Sequence, residues 1–417
     1  MKNSFRQWVG IPKMRVGTVS AARTLGVVLF LGAVTAPLAQ ATKFTTLYNF
    51  TGGSDGGDPE YGSLVQDKGG SLYGTTYLGG TSGYGTVFKV TLRGTETVLH
   101  SFTGGADGAN PYAGLVLSGH TLYGTTNYGG SGNGKDGHGV VFELDIKTGV
   151  ETVLYTFTGG ADGGYPFAGL VQDKKGILYG TTWSGGANTY WGTVFEVVPK
   201  TKKETVLHSF DESDGADSYS ALTLNPTETV LYGAATQGGS GGCYFGCGVV
   251  FSLTIKTSTY TVLHRFAGSP DGGYPGGTLA LGTSGDLYGA TGSGGASGNG
   301  AVIKLVPKTK KETVLYSFSG GADGDYPDGS VIRGKKGELY GTTYEGGSGN
   351  CTRYGYDGCG VVFKLDTTGE ETVLHSFDDS DGVNPVCGVT MDSKGNMYGT
   401  TLAGGSHGYG TVWKLTP

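Results

Sequence analysis

Four runs of sequence, Gly169-Leu-Val-Gln-Asp173, Ile177-Leu-Tyr-Gly-Thr-Thr182, Gly192-Thr-Val-Phe-Glu-Val197 and Glu204-Thr-Val-Leu-His-Ser-Phe210, decide the fold. Each is short, rich in β-branched and aromatic residues, and bounded by Gly, Asp or Lys, which is how strands joined by tight turns read. The set then repeats. Leu-Tyr-Gly begins at Leu72, Leu122, Leu178, Leu231, Leu287 and Leu339, and Met397-Tyr398-Gly399 is a seventh copy, at intervals of 50 to 58 residues. A four-strand unit at that period is the blade of a propeller. Eighty-three glycines would otherwise suggest low complexity, but here they punctuate regular β-type runs.

The ends of the chain fix the phasing. The glycine-edged first run suits a crowded centre, and the more polar Thr-Val-Leu-His-Ser-Phe type suits the rim. The last copy stops at Thr411-Val-Trp-Lys-Leu-Thr416, lacking its fourth run, whereas a spare fourth run, Thr45-Thr-Leu-Tyr-Asn-Phe50, stands alone near the start. An open solenoid or two tandem sandwiches would have no reason to split one unit between both ends. The expectation is an all-β, seven-bladed β-propeller over residues 42–417, four antiparallel strands per blade, with strand 45–50 completing the last blade and removing the exposed edges.

Residues 1–41 read differently. Lys2, Arg6, Lys13, Arg15 and Arg23 form a basic start without acidic residues, followed by the apolar run Leu25 to Leu38 and the triplet Ala39-Gln40-Ala41. That is the pattern of a cleaved secretory signal peptide, and the run is short for a membrane span. The chain's 29 basic and 35 acidic residues lose five basic ones with it, leaving 24 against 35, a net charge of −11. Such a balance argues against a nucleic-acid partner, and no transmembrane segment is expected after cleavage. The address is periplasmic or extracellular.

The pattern Asp-Gly-x-x-Pro, Gly-Leu-Val, Gly-x-Leu-Tyr-Gly-Thr-Thr, Gly-Gly, Gly-Thr-Val-Phe-Lys-Leu, Glu-Thr-Val-Leu-His-Ser-Phe resembles the Gloeo/Verruco (GloVer) tandem repeat, over essentially all of residues 44–417. The resemblance implies an exported bacterial propeller of unassigned biochemical role and transfers no catalytic residue. Some members carry C-terminal surface anchors, and this sequence departs from them, stopping at Pro417 without a sorting tail.

Two loop sets share one face, here called the top: those from an outer strand to the next inner strand, and those joining second and third strands. The first set repeats an Asp-Gly pair at Asp55, Asp107, Asp162, Asp214, Asp271, Asp323 and Asp381, followed in six loops by Pro59, Pro111, Pro166, Pro275, Pro327 or Pro385 and in the fourth by Ser218. Asp before Gly bonds its own turn and Pro fixes φ, so these residues read as structural clips. A ring of calcium sites would need several oxygens converging on each ion, and one repeated Asp per loop is too few; calcium stays open only for individual loops, where Asp325 stands beside Asp323 and Asp58 near Asp55.

The second set is where the copies diverge. It carries Tyr77, Tyr128, Trp183, Tyr190, Trp191 and Tyr344, the candidate ligand-binding residues, with Trp183, Tyr190 and Trp191 as the densest patch, together with Tyr244, Phe245, Tyr354 and Tyr356. Variation confined to one face of a repeat array is where binding sits, and rings on Gly-rich loops offer platforms for a glycan or an exported or surface protein. Cys243 with Cys247 and Cys351 with Cys359 can each close their own loop, although four cysteines allow three pairings. Cys387 stands at a small-residue position and reads as a buried thiol. The spacing is not that of a zinc knuckle, so no metal is expected. His100, His208, His264 and His375 share a position with Tyr48, Tyr155 and Tyr316, which marks packing, and no Gly-x-Ser-x-Gly, phosphate loop or His-Glu-x-x-His is present. The sequence therefore favours a non-enzymatic binding or scaffold propeller without cofactor. Its alternative is a secreted propeller enzyme, a polysaccharide lyase or glycoside hydrolase, with top-face carboxylates as acid and base.

Overall fold

The computed structural model describes residues 42–131, 136–188, 190–239, 241–351 and 357–417. The signal-peptide reading of residues 1–41 lies outside them, as do Tyr354 and Tyr356. Among the described residues, twenty-eight strands form seven four-stranded antiparallel sheets, six of them in simple sequence order, which is the seven-bladed β-propeller. Blades 1 to 6 span residues 65–101, 116–156, 171–209, 223–265, 280–317 and 332–376. Blade 7 takes three strands from 390–416 and its fourth from β1 (Lys43–Asn49), which pairs with β28 (Thr411–Thr416) in the register Lys43↔Thr416 to Asn49↔Thr411.

The repeated tripeptide follows from cross-strand packing. Gly74 of blade 1 lies opposite Phe88 of the third strand, and a Cβ there would meet Phe88 Cζ at 2.7 Å. Gly399 stands likewise under Trp413. A flat ring fits across the sheet only where its partner has no side chain.

The seams between blades repeat as well. The buried outer-strand ring of one blade meets the third-strand ring of the next edge-on: Phe102 on Phe142 at 5.3 Å, Phe157 on Phe195 at 5.1 Å, Phe210 on Phe251 at 5.6 Å, Phe318 on Phe363 at 5.1 Å and Phe377 on Trp413 at 5.8 Å. The same contact joins the last blade to the first, Phe50 on Phe88 at 5.0 Å, within a cluster that also holds Leu64, Leu72, Tyr398 and Val412. Each pair adds about 0.5–1.5 kcal/mol to the burial of its area. Between blades 4 and 5 Phe266 shares its cluster with Ile303 in place of a second ring, so the core is seven apolar seams, not one central mass, and the centre is left to a channel.

Candidate functional site

The short first strands line that channel, a cavity of about 650 Å³ bordered by residues of all seven blades, among them Val65, Leu115, Val171, Leu222, Leu281, Ile332 and Met391. At its top rim stand the residues that follow the repeated proline or Ser218. Backbone geometry puts them there. The residue before that proline or serine has a left-handed backbone in every copy, φ between 51° and 56° at Asp58, Asn110, Tyr165, Asp217, Tyr274, Tyr326 and Asn384. Such conformations are costly for a non-glycine residue, above all for tyrosine. They are held by hydrogen bonds to the second loop set: Tyr77 N donates to the Asp58 carbonyl at 3.1 Å, Trp183 N to Tyr165 at 3.1 Å and Tyr344 N to Tyr326 at 2.8 Å. Antiparallel bridges such as Ala109↔Tyr128 and Gly164↔Ser184 stitch the two sets together in each copy. The proline itself abuts the preceding blade. A Cβ on Gly85 would meet Pro111 Cδ at 2.8 Å, and Gly192, which faces the loop carrying Ser218, has no such neighbour.

The seven Asp residues turn into their own loops. Asp55 accepts from Thr51 N at 2.9 Å and from the Tyr48 hydroxyl at 2.9 Å. Tyr155 and Tyr316 bond Asp162 and Asp323 in the same way, at 3.0 and 2.9 Å. His208, His264 and His375 reach Asp214, Asp271 and Asp381 at 2.9, 3.1 and 2.8 Å, and His100 lies 3.3 Å from Asp107. The position shared by His and Tyr is therefore the outer-strand partner of the clip. Among the described residues, the His/Cys/Asp/Glu groups close enough to share an ion reduce to Cys351, Cys359 and Asp379, and both sulfurs are bonded to each other.

The disulfides are Cys243–Cys247 and Cys351–Cys359. The first presents Tyr244 and Phe245, which are exposed and 4.3 Å apart. Cys387 is buried, its thiol against the Glu60 carbonyl at 2.6 Å and Thr400 Oγ1 at 2.8 Å, and burial pushes it up to about 12. It fills space and is no nucleophile at neutral pH.

Around the mouth, the residue types are unlike and come together from different blades. Tyr61 stacks on Tyr112 at 5.0 Å, Tyr112 meets Phe167 edge-on at 4.9 Å, and Phe167 meets Tyr219 at 5.2 Å. Tyr112 is buried, whereas Tyr61, Phe167 and Tyr219 are partly exposed and border the cavity. Of the six sequence candidates, Tyr77 joins this arc at 6.2 Å from Tyr112 and Trp183 joins it at 6.0 Å from Phe167. Tyr128 connects through Tyr165, 5.5 Å away, which is 6.3 Å from Trp183. Tyr344 comes from blade 6 and is close enough to act electrostatically on Tyr61. Trp191 packs against the seam of blades 3 and 4, beside Tyr179, Val194 and Phe210, and Tyr190 is 72% exposed with no ring against it among the described residues.

Three carboxyls accompany the arc: Glu60 next to Tyr61, Asp217 two residues before Tyr219, and Asp328 from the entry of blade 6 at the edge of the cavity. Burial, reinforced by the Asp58 carboxylate, pushes Glu60 up to about 8. Burial raises Asp328 to about 6 against a hydrogen bond from Tyr61, and raises Asp217 to about 7. Tyr61 is itself pushed well up by burial and by Asp328. Sequence reading missed Glu60, Tyr61, Tyr112, Phe167, Tyr219 and Asp328. The signal was available in the residue after Asp-Gly-x-x-Pro or its serine counterpart, which changes from copy to copy as Glu60, Tyr112, Phe167, Tyr219, Gly276, Asp328 and Val386.

Fold and mouth together define the class: a seven-bladed propeller with a one-sided aromatic opening. The chain matches the Gloeobacter/Verrucomicrobia repeat over residues 33–245, 132–354 and 241–417, and it belongs to that family. No curated sequence matches it significantly. Similar solved structures include an oligogalacturonate lyase in complex with manganese (TM-score 0.50, 13% identity, covering 86% of this chain and 89% of that one). The gluconolactonase XC5397 of Xanthomonas campestris (0.44, 15%, 90% and 89%) and a chain of a nidogen/laminin complex (0.42, 14%, 75% and 94%) are also similar. At these identities the likeness concerns the fold alone.

Proposed function

We propose that this chain is an exported binding protein that holds a glycan across the mouth of its channel. The observation that carries the reading is the continuous arc of Tyr61, Tyr112, Phe167 and Tyr219, one ring from each of four successive blade entries. Sugar rings present an apolar face to such platforms and hydroxyls to the polar groups beside them, and concave sites of this kind combine rings with a few convergent polar side chains. Trp183 and Tyr77 extend the platform outward. Two loop-closing disulfides favour an oxidising compartment, in keeping with the leader pattern of residues 1–41. No helix among the described residues is long and apolar enough to cross a membrane.

A glycan-array screen of the disulfide-intact protein beside a Phe167→Ala/Tyr219→Ala variant tests the reading. Two stacked rings at about 0.5–1.5 kcal/mol each amount to roughly tenfold in affinity. We expect a restricted set of glycans to bind, and the folded variant to bind them about tenfold more weakly. A blank screen, or undiminished binding by the folded variant, would overturn it.

One observation favours the enzymatic alternative. Glu60 and Asp328 come from different blade entries, both act on Tyr61, and both hold protons to near-neutral pH, as a general acid must. New reducing ends or unsaturated products from a bound glycan, lost in Asp328→Asn, would move the assignment to a hydrolase or lyase.

A further inference from the structure

The two ends of the propeller carry opposite charge. Among the described residues, the loops of the top face hold nineteen acidic side chains and no basic one. At the other end, the turns joining first to second and third to fourth strands hold thirteen basic residues against eight acidic, and every blade supplies at least one lysine or arginine. The strands between are balanced, with nine basic and eight acidic residues. The acidic minority of the basic end is largely folded into its own turns. Asp67, Asp173 and Asp392 accept from the hydroxyls of Tyr73, Tyr179 and Tyr398, and Asp366 accepts from Thr368. Lys202, Lys310 and Lys335 donate to backbone carbonyls of a neighbouring blade, at Val153, Val262 and Ser393, 2.8 to 2.9 Å away. Such acceptors hold a lysine in place without cancelling its charge.

The form of this end suits a surface. Its turns are all two to five residues long, so none stands far above the rest, and charges spread over seven blades do not converge on a single anion. Leu92 and Val150, 41% and 60% exposed, lie in the third-to-fourth turns of adjacent blades 1 and 2, close in sequence to Arg93 and Lys147. Basic residues beside exposed apolar ones match a lipid headgroup layer, which offers phosphates and an acyl boundary beneath them, whereas a soluble polyanion would use the charges alone. The acidic top does not oppose such a contact. Second, third and fourth strands of four to seven residues, at about 3.3 Å per residue, hold the ends about 15–20 Å apart, beyond the Debye length of about 8 Å at physiological ionic strength. We propose that this end docks flat on a bilayer of anionic phospholipids, its lysines against the headgroup phosphates and Leu92 and Val150 in the interface, with the aromatic mouth turned away from the membrane. The inference rests on charge and turn geometry and is independent of the glycan reading.

Flotation with lipid vesicles tests this, using phosphatidylcholine alone and phosphatidylcholine mixed with phosphatidylglycerol. The protein is the disulfide-intact propeller, residues 42–417, which is a compact unit without the leader region, so that the apolar run Leu25 to Leu38 lends no affinity of its own. It is expected to float with the anionic vesicles, to stay behind with the neutral ones, and to be released as salt rises from about 0.1 M to about 1 M and the Debye length falls from about 10 to about 3 Å. Each lysine near an anionic surface is worth about fivefold in affinity. Lys175, Lys200, Lys308 and Lys336 are exposed, and replacing all four by glutamine is expected to weaken binding at least about tenfold at an unchanged melting temperature. Leu92→Ser with Val150→Ser is expected to weaken vesicle binding severalfold while leaving retention on immobilised dextran sulfate as it was. Should the lysine variant fail to fold, the contrast between vesicles and the release by salt carry the same test. Equal flotation with neutral vesicles, or undiminished flotation of either folded variant, would overturn the docking. Retention on dextran sulfate without flotation on anionic vesicles would overturn it too, and would make the partner an anionic polymer.

Discussion

Gly180 has no Cβ because Phe195 lies across it, and a methyl group there would approach the ring's Cζ to 2.6 Å. Gly180→Ala is expected to cost about 1–3 kcal/mol through overpacking, read as a lower denaturant midpoint at unchanged slope. An unchanged midpoint would show that the ring has room to move. At the same scale, the Asp clip was readable from Asp-Gly, but its partner was not. His208 and Tyr155 are seven-fold equivalents that look like packing in sequence, and only the folded outer strand shows them bonded to Asp214 and Asp162. A β-bulge immediately precedes each of them, between Val206 and His208 and between Val153 and Tyr155, so strand alternation does not show which way these side chains turn. Asp162→Ala removes the acceptor of Tyr155 and of Thr158 N. A loss of about 1–3 kcal/mol is expected from the unpaired donors.

Along the outer strands a second ring of carboxyls appears. Glu96, Glu151, Glu204, Glu312 and Glu371 occupy one position, and each leaves Oε1 enclosed without a hydrogen-bond partner. Burial, with the Asp of the preceding loop at Asp55, Asp107, Asp162, Asp271 and Asp323, raises all five from 4.5 to about 7. Where the preceding strand has His208 or His375, the glutamate is replaced by Tyr260 or Phe44, stacked on the imidazole at 3.9 and 3.7 Å. For an acid with a raised folded-state pKa, the fold binds more protons than the unfolded chain between 4.5 and about 7, so stability falls as pH rises through that window. Asp55, Asp107 and Asp323 are lowered by their loop hydrogen bonds against the opposing effect of burial, and their contribution is lost as pH drops below the usual 3.8. Thermal melts are therefore expected to peak at mildly acidic pH and to decline toward about 8, with the slope flattened when the five glutamates become glutamine. A melting temperature that rises through neutrality would contradict this.

At the scale of the molecule, the repeat, the strand count and the pairing of residues near 45–50 with the final strand were legible, because each rests on local alternation and on the missing fourth run. Phe50, fully buried against Phe88, carries that junction. Phe50→Ala is expected to cost about 3–5 kcal/mol. Deleting residues 42–50 should leave the edge of Thr411–Thr416 open and drive association, visible by size-exclusion chromatography. A monomeric truncation with an unchanged melt would contradict that role. The mouth was less legible. Tyr77, Tyr128 and Trp183 were found because their loops vary visibly in length and side chains. Tyr61, Tyr112, Phe167, Tyr219 and Asp328 lie in the loops that repeat best, and only ring geometry brings positions some fifty residues apart to one opening.

The most direct test of the binding account is a crystal structure of the protein with an oligosaccharide selected by array. The account predicts sugar rings over Phe167 and Tyr219 at the channel mouth, within hydrogen-bonding reach of Asp328. Density instead at the exposed Tyr244–Phe245 tip, at Tyr190 or on the opposite face would contradict it.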